Sequence, residues 1–224
     1  MKIEQTKWAK PTQNEPLKAS RQSRETSRRT LSPYPCHLQP FPFSLMHLTL
    51  ELTDRDQTLA HVANAWDAAC RDPFWGQVEG RLESNAFGQM VVNPPPTFEH
   101  NDKQHRIARL LEERLGGVSR VEFPVLTVGG MKITDVAWMS QQQYHERKSQ
   151  PESKACPALC VEVLSPSNVP DELRHKRVLY FDAGASECWE CDLDGRMTYY
   201  LDGDPDTTHA KSKRCPDFPD TIED

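Results

Sequence analysis

Two acidic residues stand inside segments that the sequence predicts to be hydrophobic strands. Glu162 lies in the middle of Ala158–Leu164 (ALCVEVL), and Asp135 lies inside Met131–Met139. A lone buried carboxylate costs several kcal/mol unless it is paired or bound to a metal. If the two strands are neighbours, the like charges repel by roughly 4 kcal/mol at ~4 Å, even at an effective dielectric constant of 20. The pair therefore predicts a nearby divalent cation or cationic side chain.

A candidate cation follows on the next predicted helix, about Asp171–Ala183. Its polar residues fall on one side, whereas Lys176 falls on the opposite, apolar side near Tyr180. Two turns into a helix that follows directly from the strand of Glu162, the amine of Lys176 could reach back over the strand end. By period-two alternation, Glu162 shares its strand face with Cys160.

A second predicted helix, roughly Thr97–Leu115, contributes polar residues to the same region. Its buried stripe, extended backwards at helical spacing, meets Gln104 and then His100. Polar residues therefore occupy the N-terminal half of a face that should point into the core.

Each candidate also has a structural interpretation. Asp135 could cap or pair at a strand end, Glu162 and Lys176 could form a structural ion pair, and His100 could be a satisfied or exposed histidine. The joint pattern favours a functional site, because a mixed sheet would bring these elements into contact.

The seven cysteines are an odd number without tight framework spacing, which is typical of a reducing cytoplasm. Cys156-x3-Cys160 and Cys188-x2-Cys191 make four candidate zinc ligands. Residues three apart in a strand point to opposite faces, however, and neither pair has a glycine-bearing knuckle turn, so zinc is disfavoured. The sequence has no phosphate-binding P-loop, dinucleotide fingerprint or serine nucleophile elbow.

The hydrophobic periodicity predicts helices and strands in a single α/β (α+β) domain. The Gly129-Gly130 pair is a strong hairpin turn. Predicted helices are a segment capped by Thr53 and running to about Cys70, Thr97–Leu115, and about Asp171–Ala183, with Ser140–Lys154 a surface helix or loop. Predicted strands are Gln77–Glu83, Phe87–Val92, Val121–Val128, Met131–Met139, Ala158–Leu164, Glu187–Asp192 and Arg196–Leu201.

The ends of the chain differ from its middle. Residues 1–45 carry eight lysines and arginines against three glutamates, a net of +5, so the rest of the −6 chain carries −11. We expect this segment to be a disordered leader: either it binds nucleic acid, or it lies upstream of a true start at Met46. Residues 46–205 would form the folded domain, and 206–224 a polar, frayed tail. No secretory signal or membrane span is predicted, which favours the cytoplasm.

At these residues the chain resembles the Uma-type putative restriction endonuclease family, a branch of the PD-(D/E)XK nuclease superfamily. The resemblance covers roughly 73–201, and its most specific piece is Val161–Ser167 (VEVLSPS). Upstream it includes Thr134-Asp135-Val136-Ala137 and the three prolines 94–96 before His100. Downstream it includes Asp171, Lys176, Tyr180, Ala183-Gly184 and Glu187-Cys188-Trp189.

The resemblance implies a restriction-endonuclease-like fold, a mixed β-sheet flanked by helices. It also implies that Asp135, Glu162 and the Val163 carbonyl ligate Mg²⁺ or Mn²⁺. The superfamily's usual lysine, two residues past the acid, is Leu164 here, and Lys176 takes its place. The proline that usually precedes the first aspartate is Thr134. Lys176 would orient the attacking water or stabilise developing charge, with His100, Gln104 and Glu83 in support.

The implied function is a Mg²⁺-dependent endonuclease that hydrolyses DNA phosphodiester bonds. The acidic core weighs against it, since DNA-cleaving domains usually carry a basic groove. One alternative is a catalytically silent nucleic-acid- or protein-binding member of the same fold. Another is a hydrolase acting on a small phosphoester. DNA is the expected partner, a membrane is not, and a homodimer is left open.

Overall fold

The structure, a computed structural model, describes residues 54–149 and 155–223 of the 224-residue chain. The predicted leader 1–45 and the predicted cap Thr53 lie outside the described residues. The described part contains α1 (Arg55–Arg71), a 3₁₀ turn (Trp75–Gln77), β1 (Arg81–Ser84), β2 (Met90–Asn93), α2 (Phe98–Leu115), β3 (Val118–Thr127), β4 (Gly130–Met139), α3 (Gln141–Ser149), β5 (Leu159–Val163), α4 (Pro170–Ala183), β6 (Glu187–Cys191), β7 (Met197–Leu201) and β8 (Thr208–His209).

The larger sheet has six strands in the order β3-β4-β5-β6-β7-β8. Only the central pair β5–β6 is parallel among them, and α4 makes the crossover that a parallel pair requires. The other neighbours are antiparallel. The predicted mixed sheet flanked by helices is therefore confirmed.

The two faces of this sheet bury different helices. On one face, Ile107 and Leu111 of α2 pack in a core cluster with Val161 of β5 and Trp189 of β6. On the other, Tyr180 of α4 packs in a second cluster with cysteines of β5 and β6. Because β5 is covered on both faces, all five of its residues are buried, as its continuous apolar sequence predicts.

Local signals fix the ends of the helices that carry the site. The Thr97 hydroxyl caps α2 by accepting the main-chain N–H of His100. Helix α4 begins with Pro170 at its first turn and ends at Gly184, which adopts the left-handed conformation. At the start of α1 the Asp54 carboxylate accepts the N–H of Asp56.

The C-terminal segment corrects one expectation. We expected the last twenty or so residues to be frayed, but three apolar side chains from this segment, Cys215, Phe218 and Ile222, are buried in the α2-side core cluster. The ring of Phe218 lies 4.8 Å from that of Trp189, centroid to centroid. The polar, proline-rich composition misled the prediction because these three residues follow neither a helical nor a strand period.

The small hairpin β1–β2 is anchored on β4. The Ser84 hydroxyl accepts the N–H of Met131 at 2.8 Å. Gly130 has φ +121°, and a Cβ there would lie 2.0 Å from the Ser84 carbonyl oxygen, so the close approach requires glycine. This contact holds Arg81 and Glu83 of β1 over β4. Within the described residues, every helix is too short or too polar to cross a bilayer.

Candidate active site

Glu162 is held on β5 by two side chains of α4. The Lys176 amine donates to Oε2 at 2.9 Å, and the Tyr180 hydroxyl donates to Oε1 at 2.7 Å. All three side chains are buried. The contact between Lys176 and Glu162 that the helical face predicts is present, and it spans the connection from β5 to α4.

Burial sets the protonation states of these groups. It raises the pKa of Glu162 to about 7, against the opposing charge of Lys176. Burial alone would lower the pKa of Lys176, but Glu162 and Glu83 outweigh it and raise the pKa above its ordinary value. Burial and the Glu162 charge hold the pKa of Tyr180 well above its usual range. At neutral pH Lys176 is therefore a fixed cation, and neither Lys176 nor Tyr180 is poised to accept a proton.

Two further charges complete what we term the Glu162 cluster: Glu83, Lys132, Glu162, Lys176 and Tyr180. Glu83 Oε1 accepts the N–H of Ile133 at 3.2 Å and lies 3.6 Å from Lys176 Nζ. Glu83 Oε2 lies 3.7 Å from Lys132 Nζ. Two lysines thus face two glutamates, so the charges of the cluster balance when Glu162 is ionised.

Asp135 stands where the β4–β5 ladder ends. The last paired residues are Val136 and Val161, and extending their register by one position sets Asp135 opposite Glu162. Beyond that pair, the N–H of Val163 donates to Asp135 Oδ2 at 2.7 Å. The side chain of Asp135 is 2% exposed. The two carboxylates that the sequence singled out therefore lie on neighbouring strands at the same end of their pairing.

A second group of charges surrounds the Asp135 carboxylate, and we term it the Asp135 cluster: Arg81, His100, Gln104, Glu122 and Asp135. Oδ1 accepts from Arg81 Nη1 at 2.6 Å and from Gln104 Nε2 at 3.2 Å. His100 Nε2 lies 3.3 Å from Oδ2. Glu122 Oε1 accepts from Gln104 Nε2 at 2.6 Å and lies 3.6 Å from Arg81 Nη1.

The Asp135 cluster keeps its central carboxylate ionised. Burial alone would raise the pKa of Asp135, but His100 and the positive charge of Arg81 outweigh it and hold the pKa below its usual range. Asp135 and Glu162 thus differ: the former is ionised throughout the neutral range, whereas the latter titrates within it.

One group of possible metal ligands forms among the described residues. His100, Glu122 and Asp135 each offer one ligand atom, and these atoms lie within 4.8 Å of one another. Glu162 is outside this group, since its oxygens face Lys176 and Tyr180. The ligand set Asp135, Glu162 and Val163 carbonyl, implied by the resemblance, stays a prediction.

Six of the seven predicted site residues belong to these two clusters, and the seventh, Val163, donates its N–H to Asp135. The sequence missed four other members: Arg81, Glu122, Lys132 and Tyr180. Tyr180 was identified as a core residue, but nothing in the periodicity indicated that its hydroxyl bonds Glu162. Glu122 has φ +49°, an unusual value for a residue with a side chain. This kink interrupts the alternation of side chains between the two faces of β3, so the sequence period does not predict where Glu122 points.

The four cysteines considered as zinc ligands do not all lie on one face of the sheet. Cys156, Cys160 and Cys188 belong to the core cluster beneath α4, whereas Cys191 lies in the cluster on the opposite face. The members of the Cys188-x2-Cys191 pair thus lie on opposite sides of the sheet, as the strand period requires.

Comparisons with known proteins identify a family through one match. No curated protein matches the chain. Among solved structures, a putative nuclease belonging to DUF820 from Anabaena variabilis ATCC 29413 aligns with a TM-score of 0.47 and 15% identity, covering 61% of this chain and 80% of that one. A family model described as a putative restriction endonuclease, Uma2, matches residues 76–217, more than half of the chain. The chain therefore belongs to the Uma2 family of putative restriction endonucleases.

Proposed function

We propose that the chain is a metal-dependent endonuclease that hydrolyses DNA phosphodiester bonds. The observation that carries this proposal is that Asp135 and Glu162 lie on neighbouring strands at the end of the β4–β5 ladder, with the amine of Lys176 bonded to Glu162. Family membership supports a nuclease, and the buried acid pair with an adjacent lysine supports phosphodiester chemistry at this place.

The chemistry of the two carboxylates suits a divalent cation. Asp135 is ionised at neutral pH, and Glu162 loses its proton near pH 7, so both can present the hard oxygen ligands that Mg²⁺ or Mn²⁺ prefers. With the Val163 carbonyl they would hold the metal. The bound ion would polarise the scissile phosphate and lower the pKa of a water.

Lys176 would act as an electrostatic group. Because its amine stays protonated at neutral pH, it would stabilise negative charge on the phosphate in the transition state or orient the attacking water. Tyr180 would position Glu162 through its hydroxyl, and Glu83 would hold Lys176 in place. His100 and Gln104 would support Asp135 from α2.

A plasmid-nicking assay with Mg²⁺ or Mn²⁺ tests the proposal. The assay is run at low salt, where contacts of lysine and arginine with phosphate are strongest. Glu162→Gln and Lys176→Met should each lower the nicking rate by about 10²-fold or more. Lys148→Met, at an exposed position on α3, is the matched control and should nick at the wild-type rate.

The outcome also separates the alternatives. Nicking that survives both substitutions would refute this centre. A wild-type protein that binds a DNA duplex but does not nick it with either metal would instead support a catalytically silent binding protein. The homodimer and the DNA partner remain predictions, and light scattering with and without a duplex measures both.

A further inference from the structure

The donors of the Asp135 cluster differ in chemistry from those of the proposed nuclease pair. His100 from α2 offers an imidazole nitrogen, and it faces Glu122 from β3 and Asp135 from β4. Mg²⁺ binds oxygen ligands almost exclusively, whereas imidazole favours first-row transition ions. One nitrogen and two carboxylates within 4.8 Å therefore form a set that suits a transition metal.

Orphaned polar atoms give an independent indication of a ligand here. Gln104 is fully buried, yet its Oε1 has no hydrogen-bond partner. The buried Nε2 of His100 lies 3.3 Å from Asp135 Oδ2 but without hydrogen-bond geometry. An unpaired buried acceptor costs about 1–3 kcal/mol. The Gln104 amide nitrogen contacts both Glu122 and Asp135, so a half-turn of the amide would carry Oε1 to the cluster. A cation there would satisfy both orphaned atoms.

Arg81 occupies the position of a counter-ion in the cluster. Its Nη1 lies 2.6 Å from Asp135 Oδ1 and 3.6 Å from Glu122 Oε1, so one guanidinium nitrogen serves both carboxylates. Its Nε is buried without a hydrogen-bond partner. Because Arg81 lies on the two-stranded hairpin rather than the six-stranded sheet, its side chain can withdraw without breaking a central strand.

We propose that His100, Glu122 and Asp135, with Gln104 as a fourth ligand after its amide turns, bind a first-row transition divalent cation in preference to Mg²⁺. Arg81 is the resident cation that this metal displaces. The site shares Asp135 with the proposed nuclease centre, but binding at it does not require the chain to cleave DNA.

Mn²⁺ titration of the full chain, without nucleic acid, tests the site, with free Mn²⁺ measured from its EPR signal. The background is Glu162→Gln, which removes one ligand of the proposed nuclease centre. This protein should still bind one Mn²⁺. Adding His100→Ala or Glu122→Gln should weaken the binding by about tenfold or more, since loss of even an outer-shell partner costs that much. His105→Ala, an exposed histidine of the same helix, is the matched control.

Arg81 and Mg²⁺ provide two further measurements. Arg81→Gln removes the competing cation and should tighten Mn²⁺ binding several-fold. Equimolar Mg²⁺ should leave Mn²⁺ bound. Circular dichroism checks that each variant is folded. If His100→Ala does not fold, Glu122→Gln, at a partly exposed position, still tests the site.

Three results would overturn the site. They are Mn²⁺ binding unchanged by both His100→Ala and Glu122→Gln, displacement of Mn²⁺ by equimolar Mg²⁺, and weaker binding in Arg81→Gln. The outcome is separable from that of the nuclease proposal. Nicking that needs Glu162, with Mn²⁺ binding indifferent to His100, refutes this site alone. Binding that needs His100, in a protein that never nicks, refutes the nuclease alone.

Discussion

Replacing Lys176 by methionine removes a buried positive charge and keeps a side chain of similar length. The amine lies 2.9 Å from Glu162 Oε2 and 3.6 Å from Glu83 Oε1, and the side chain is 10% exposed. Removing one partner of a buried ion pair costs about 3–5 kcal/mol, because the remaining charge is left uncompensated. For a chain of this size, that corresponds to a fall in Tm of roughly 6–20 °C.

The loss should depend on pH and on Glu162. With the pKa of Glu162 at about 7, the carboxylate is ionised at pH 8 and largely neutral at pH 6, so the loss should be larger at pH 8. In a Glu162→Gln background Lys176→Met should cost about 1 kcal/mol or less, since replacing both partners of a buried pair is often nearly neutral. The Tyr180 hydroxyl can still donate to the amide oxygen of Gln at position 162.

Urea denaturation at pH 6 and pH 8 measures the four proteins of this double-mutant cycle. Lys148→Met, a lysine exposed on α3, is the control and should lie within about 0.5 kcal/mol of the wild type. The reasoning is refuted if Lys176→Met is no more destabilising than Lys148→Met. It is also refuted if the two substitutions add at pH 8 with a coupling energy below about 0.5 kcal/mol.

Two further predictions follow from the burial of single groups. Between pH 4.5 and about 7 the native protein keeps a proton on Glu162 that the unfolded chain has lost. The wild type should therefore lose stability relative to Glu162→Gln as the pH rises through this window, by at most about 1.4 kcal/mol per pH unit. A difference in urea midpoint that is independent of pH would contradict the raised pKa. Phe218→Ala should cost about 3–5 kcal/mol, since the ring is 1% exposed against Trp189. Phe87→Ala, at 78% exposure, should be nearly neutral, and equal losses would show that the C-terminal segment is outside the core.

The central part of the fold could be predicted because its segments have a clear pattern of hydrophobic residues. The ALCVEVL run predicted a strand covered on both faces, and β5 is buried throughout. The helical face of α4 predicted the contact between Lys176 and Glu162, because a charged residue on an apolar stripe needs a partner within reach of its own helix. The buried stripe of α2, extended towards the start of the helix, likewise predicted that Gln104 and His100 face the core. Gln104 donates to Asp135, and His100 Nε2 lies 3.3 Å from its carboxylate.

The site and core residues that could not be predicted lie in segments without a helical or strand periodicity of hydrophobic residues. Arg81 is one charge in a four-residue strand whose partner strand is largely exposed, so its place beside Asp135 depends on how the hairpin docks. Glu122 lies at a kink of β3. Cys215, Phe218 and Ile222 fill the core from irregular backbone, where burial is decided by the shape of the cavity and not by spacing along the chain.

The hydrogen bond from the Val163 N–H to the Asp135 carboxylate means that Asp135 has two roles. It is a candidate metal ligand, and it is also the acceptor that continues the pairing of β4 with β5 after the main-chain ladder has stopped. Both the proposed metal site and the pairing of β4 with β5 therefore restrict which residues can occupy position 135. A related chain without nuclease activity would still need an acceptor at that position. An aspartate at this position is therefore a poor sign that a related chain is active. Lys176 and Glu162 are better signs, because the fold could tolerate the replacement of both together.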